Sequence, residues 1–215
     1  MLLACRCEYN VSLVKGAPTL AEALALSGGP KRTASLVAWL QSRYPSRESA
    51  PILVGGAAVE LYTHGAYTTG DLDFVGDVSG EVAEVLDHAG FRRAGRHWIH
   101  EQGRVYLEFP GSRLEPASEP ARLRRAGLTL RVIRAEALLA DRLAAWKFWR
   151  SEVDLLNALR LLHARRGRLE LREVRRCARA LEVEDEWRRL RAWDRRLGGR
   201  WPSAAESERW LRRRR

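Results

Sequence analysis

Residues 54–74 read VGGAAVELYTHGAYTTGDLDF. The stretch leaves a short apolar run, Ile52-Leu53-Val54, turns at Gly55-Gly56, and continues as a helix from Ala57 to about His64. Gly65 closes that helix, and a strand over 71–75 follows, with aspartates at 71 and 73. Side chains alternate along a strand, so Asp71 and Asp73 share one face while Leu72 and Phe74 point to the other, into the core. Two neighbouring carboxylates repel and raise each other's pKa unless a cation sits between them. A divalent metal is the commonest reason to build such a pair on a rigid strand. Gly55 and Gly56 let the backbone turn tightly and bring its N–H groups to an anion at a helix N-terminus. A phosphate cradle beside a metal-binding acid pair points to chemistry on a nucleoside triphosphate.

Downstream, 97–100 and 104–109 alternate around Gln102-Gly103 and predict a hairpin that Pro110-Gly111 ends. Glu108 is the only acid on its second strand. Placed beside the 71–75 strand, it completes a three-carboxylate cluster of the kind two-metal nucleotidyl transfer uses. The third acid can also accept the proton of an attacking hydroxyl.

The remaining periodicity predicts helices at 19–26, with Thr19 as N-cap, at 31–44, and at 80–89. A strand is expected at 128–133, and 114–125 reads as a polar loop. Beyond Arg134 the pattern is helical throughout, breaking near Ser151 and at 165–167, with shorter basic helices at 169–181, 184–197 and 203–211. The layout is α+β: a helical lead at 1–50, a small mixed-sheet core at 51–134, and a basic helical domain at 135–215.

The chain has 215 residues and a formal net charge of +11. Residues 165–215 hold 18 Lys+Arg against 9 Asp+Glu, so most of the excess lies in the last quarter. Basic helices with interleaved Trp suit a polyphosphate partner such as RNA. The preference for arginine, 35 against 3 Lys, is equally what a biased gene composition produces, but it does not account for the excess of positive over negative charge. Three cysteines, no apolar run of membrane-spanning length and no signal-peptide pattern at MLLACRCEYN lead to the expectation of a cytoplasmic protein with free thiols. Cys5 and Cys7 lack the second Cys/His pair that a zinc site needs.

Gly55-Gly56-Ala57-Ala58 followed by Thr69-Gly70-Asp71-Leu72-Asp73, with a third acid on a later strand, resembles the DNA polymerase beta-type nucleotidyltransferase superfamily. Within it, the chain is most similar to the AbiEii-like group, which includes toxins of type IV toxin–antitoxin systems. Val105–Leu114 (VYLEFPGSRL) resembles that group's third-acid strand. Asp141-Arg142-Leu143-Ala144-Ala145 and Val153-Asp154 resemble its later helix motif. The resemblance implies an NTP-dependent transferase with Mg²⁺ (or Mn²⁺) held by Asp71, Asp73 and Glu108. It implies phosphate contacts at Gly55, Gly56, Thr69, Arg142 and Lys147, a tRNA or protein hydroxyl as acceptor, and an antitoxin as partner. The chain departs from the group at three places: Tyr67 and Val153 stand where basic residues are usual, and Arg142 where Lys is. Arg can replace Lys at phosphate, with different geometry. Lys147 and Arg150, about one and two turns past Arg142, are placed to compensate.

Plainer readings stand beside these. Arg142 and Lys147 fit surface helix charges as well as ligands, Thr69 an ordinary turn hydroxyl, Asp154 a helix cap, and Glu108 an exposed strand acid. Trp201 and Trp210 are candidates for base stacking or for packing. Two other functions remain open: a catalytically idle fold that binds RNA through its basic helices, and a small-molecule transferase of the antibiotic-modifying type. The latter uses acidic grooves for cationic substrates, which the basic helices fit poorly.

Overall fold

Thr19 caps the first described helix: its Oγ1 accepts from the Glu22 N–H at 3.2 Å, and the Glu22 carboxylate accepts from the Thr19 N–H at 2.7 Å. This reciprocal pair satisfies donors that a helix start leaves open. The structure, a computed structural model, describes residues 16–115 and 118–212. Cys5 and Cys7 lie outside the described residues.

The elements are α1 (Leu20–Ala25), α2 (Pro30–Gln41), β1 (Ile52–Leu53), α3 (Gly55–Tyr62), β2 (Asp71–Val75), α4 (Gly80–His88), β3 (Arg92–Ala94), β4 (His97–His100) and β5 (Val105–Gly111). They continue with β6 (Ala121–Arg125), β7 (Leu128–Val132), α5 (Ala135–Trp149), α6 (Glu152–Ala164), α7 (Leu171–Ala180), α8 (Glu184–Leu197) and α9 (Ala204–Arg212). The protein is therefore mixed α+β. Among the described residues, seven strands form one mixed sheet in the order β3-β4-β5-β2-β1-β7-β6. β2 and β5 run parallel, as do β1 and β7, and every other neighbouring pair is antiparallel.

Three elements differ from the periodicity reading. The polar segment 114–125 is not all loop, because Ala121–Arg125 forms β6. As the last strand of the sheet, β6 pairs only with β7, so Ala121 and Leu123 give it enough apolar character while Arg122 and Arg124 stay in water. β3, three residues long, carries too little pattern to be read. β5 continues through Pro110 and Gly111, because the Gly111 carbonyl accepts from the Gly76 N–H at 3.0 Å. A proline tolerates this place near a strand's end, where its missing N–H breaks no ladder.

One continuous core joins the sheet to the helices on both sides of residue 134, with Phe74, Leu53, Leu107, Leu138, Leu143, Leu155 and Leu159 fully buried. Polar stitches fix the layers. Gln41, buried at the end of α2, donates to the carbonyls of Pro51 (2.9 Å) and Arg131 (2.7 Å) and accepts from the Arg131 N–H at 3.0 Å. Thr33 on α2 donates to the buried Glu60 carboxylate on α3 at 3.0 Å. Tyr62 donates to the Ile133 carbonyl at 2.8 Å, tying α3 to the entrance of α5. In the C-terminal part, Trp210 of α9 stacks on Trp193 of α8 with ring centres 4.5 Å apart and leans on Trp146 of α5 at 6.4 Å. Among the described residues, no helix is long and apolar enough to cross a membrane.

Candidate active site

Sheet register assembles the acids. β2 and β5 align so that Tyr106 faces Asp71, Leu107 faces Leu72 and Glu108 faces Asp73. On the other side of β5, the hairpin register places His97 of β4 opposite Glu108. Neighbouring residues in register share a face. His97, Glu108 and Asp73 therefore form a row across three strands, with Asp71 two residues along from Asp73. Leu72 and Leu107 occupy the opposite face and are buried, which holds the polar face outward.

Asp73 sits against the start of α3. Gly55 opens that helix with φ +64°, and a Cβ there would collide with the Asp73 carboxylate. Two demands thus converge on glycine: left-handed backbone and close approach of an acid. The Gly56 N–H faces the same carboxylate and favours its charged form. Burial and the nearby Glu108 carboxylate outweigh that bond and the opposing pull of Arg142, pushing the Asp73 pKa up to about 6. Asp71 is exposed at the strand's start, and its N–H donates to Thr69 Oγ1 at 3.4 Å. Thr69 and Tyr67 both lie over Gly56, where a Cβ would come within 3.2 Å of the Tyr67 ring and 3.3 Å of Thr69. Gly55, Gly56 and Thr69 are therefore gathered around the aspartates.

Glu108 is engaged elsewhere on its own face. Arg96 lies 2.8 Å from one carboxylate oxygen and His97 Nε2 3.5 Å from the other. Among the described residues, no three His, Cys, Asp or Glu side chains stand close enough together to hold a metal ion as they are placed. The three acids share a face, and one of them is committed to a guanidinium.

Arg142 on α5 is within electrostatic reach of Asp73 but is itself clasped by acids: it lies 2.5 Å from Asp141 and 2.6 Å from Asp154 at the start of α6. These partners outweigh its burial and raise its already high pKa. Asp154 thus serves as an interhelical ion-pair partner, while Ser151 caps α6. Lys147 donates to the Glu182 carbonyl between α7 and α8 and lies over the Phe148 ring, so it is held at a different place from Arg142. Arg150, in left-handed conformation, ends α5. Val153 is half exposed on the first turn of α6.

Two cations at the site escaped sequence reading. Arg96 is one; counting back from the hairpin turn would have paired His97 with Glu108 and put Arg96 beside it. Arg160 of α6 is the other: its guanidinium lies 5.8 Å from the centre of the Tyr67 ring and 5.0 Å from that of Trp201. No local signal links positions 67, 160 and 201.

Along α7, Arg172, Arg175, Arg176 and Arg179 are all exposed, while Val174, Cys177 and Ala178 are buried. Acids answer part of the basic charge: Arg176 pairs with Glu173, Arg179 with Glu184, and Arg166 with Asp194. No protein-family model matches the chain, and no curated protein matches it.

Proposed function

We propose that this chain is a divalent-metal-dependent nucleotidyltransferase that moves a nucleoside monophosphate from an NTP to an RNA hydroxyl, with tRNA as the acceptor. The observation that carries the reading is the register of β2 against β5, which sets Glu108 opposite Asp73 on the face that also bears Asp71. Hard carboxylate oxygens suit Mg²⁺ or Mn²⁺. The Asp73 pKa is raised first by burial and then by the neighbouring Glu108 carboxylate, and a bound cation would relieve both costs. Asp71 and Asp73 would hold the metal, which when bound neutralises phosphate charge and polarises the phosphorus under attack.

The chain's own residues do the rest. The acceptor oxygen bonds to the α-phosphorus as the bond to the β-phosphate bridge breaks, and pyrophosphate leaves. Glu108, freed from Arg96, takes the acceptor's proton, and Arg96 then stands beside the reacting phosphates as a cation. Gly55 and Gly56 bring the start of α3 close to phosphate oxygens, Thr69 lines the same rim, and Arg142 supplies positive potential behind Asp73. The arginine face of α7 offers the RNA backbone a contact that salt should weaken. If the protein acts as a toxin, a neutralising antitoxin protein is its partner.

The hold of Arg96 on Glu108 favours a second reading, an idle fold that binds RNA without turnover. One experiment separates the two. The chain is incubated with Mg²⁺, each α-labelled NTP and total tRNA, with Asp71→Ala/Asp73→Ala as control. Label on tRNA only with intact aspartates supports transfer. Label on protein moves the acceptor. No label, together with no thermal stabilisation by Mg²⁺ and NTP, overturns the enzyme reading.

A further inference from the structure

The sequence singled out Trp201 and Trp210 together, and the structure separates them. Trp210 is spent in packing, stacked on Trp193. Trp201 stays 44% exposed on the segment between α8 and α9. Arg160 lies over its ring at 5.0 Å, and His163 meets it edge-on at 5.8 Å and 87°. Trp201 and Arg160 line a cavity of about 730 Å³ between α6 and α9, with Leu156 and Pro202 as apolar walls and Glu152, Ser207 and Glu208 as polar groups able to accept from a base's N–H donors. That volume falls in the range of small-molecule sites.

Packed side chains link the wall of this cavity to the candidate active site. Arg160 also lies over Tyr67, and Tyr67 lies over Gly56, whose N–H faces Asp73. The start of α3, Tyr67, Arg160 and Trp201 therefore lie in series, leading away from the acids. Arg160 is held in place, donating to Asn157 at 2.9 Å. Arg160 lies over the Trp201 ring, and both side chains line the cavity. A flat, π-rich, weakly polar ring is the ligand such a surface recognises, because aromatic faces stack on it and a nearby guanidinium strengthens the contact.

We infer that this cavity is the subsite for the nucleobase of the incoming NTP, with Trp201 as the stacking platform and Arg160 as the group that positions it. The inference rests on the transferase reading, because it takes the phosphates to lie at Gly55-Gly56.

The test compares α,β-methylene NTP analogues, which bind without transfer, with inorganic tripolyphosphate, all with Mg²⁺ on the full chain. Calorimetry gives the dissociation constants. The wild type should bind at least one analogue about tenfold tighter than tripolyphosphate, the margin one stacked base contributes. Trp201→Ala should erase that margin and leave tripolyphosphate binding unchanged, and Trp201→Phe should retain most of it. Circular dichroism confirms that both variants keep their helices. Equal analogue binding by the wild type and Trp201→Ala overturns the subsite while the transferase reading stands. Binding of neither analogue nor tripolyphosphate by the wild type overturns both.

Discussion

Replacing Asp73 with asparagine should make the folded protein more stable at neutral pH. Burial and Glu108 push the Asp73 pKa from 3.8 up to about 6. An acid whose pKa is higher folded than unfolded binds its proton more readily in the folded state. Stability therefore falls as pH rises from about 4 through 6, and above 6 the full penalty is present. A rise of roughly two pKa units corresponds to a ceiling of about 3 kcal/mol, since each unit is worth about 1.4. Partial exposure and solvent screening bring the expected gain to about 1–2 kcal/mol. Asparagine keeps the acceptor that the Gly56 N–H faces and removes the charge. The assay is urea unfolding of wild type and Asp73→Asn without divalent metal, at pH 4 and pH 7.5. The variant should be more stable by that amount at pH 7.5, with the difference closing toward pH 4. In a protein of this size the gain shifts the midpoint temperature by about 2–8 °C. Asp71→Asn, at an exposed position, should change stability little at either pH. An Asp73→Asn variant that matches or falls below wild type at pH 7.5 would refute the claim that Asp73 is held charged at a cost.

Three further outcomes test other parts of the structure. Arg142→Ala leaves Asp141 and Asp154 without their common cation and should cost about 3 kcal/mol in urea unfolding, with Arg142→Lys recovering part of it. Thr33→Val removes the hydroxyl that donates to the buried Glu60 and should cost about 1–3 kcal/mol, a loss that Glu60→Gln in the same chain reduces in a double-mutant cycle. Gly55→Ala meets both a left-handed backbone and the Asp73 carboxylate, so it should lose about 2 kcal/mol or more and abolish any transfer activity. Gly56→Ala, touching only the Tyr67 and Thr69 side chains, should lose less by thermal unfolding.

What the sequence made legible follows the range of each interaction. Alternation over 71–75 placed Leu72 and Phe74 inside and both aspartates on one face, because that pattern is local to one strand. The Thr19 cap and the ends of α8 were equally local. Which residue of β5 lies beside Asp73 is a pairing across 35 positions, set by how two apolar rows dock, and alternation supplies only its parity. The partners of the charged residues were hidden for the same reason. Arg142 reads as a cation awaiting phosphate, yet Asp154 reaches it from the next helix; Glu108 reads as a free acid, yet Arg96 reaches it across the hairpin. β6 was missed because a strand at a sheet's edge need satisfy only one neighbour, so its five residues can be mostly arginine.

The register between β2 and β5 also limits how the acidic face can be rearranged. Leu107 is buried and Phe109 packs against the core, so moving the carboxylate by a single step along β5 would place it among hydrocarbon. A step of two keeps it outward, as at position 106, opposite Asp71, where Tyr106 is already 40% exposed. A protein engineer, or drift over generations, thus has a ladder with every second rung missing. An acid can hop from 108 to 106 without disturbing the core, but it cannot slide there.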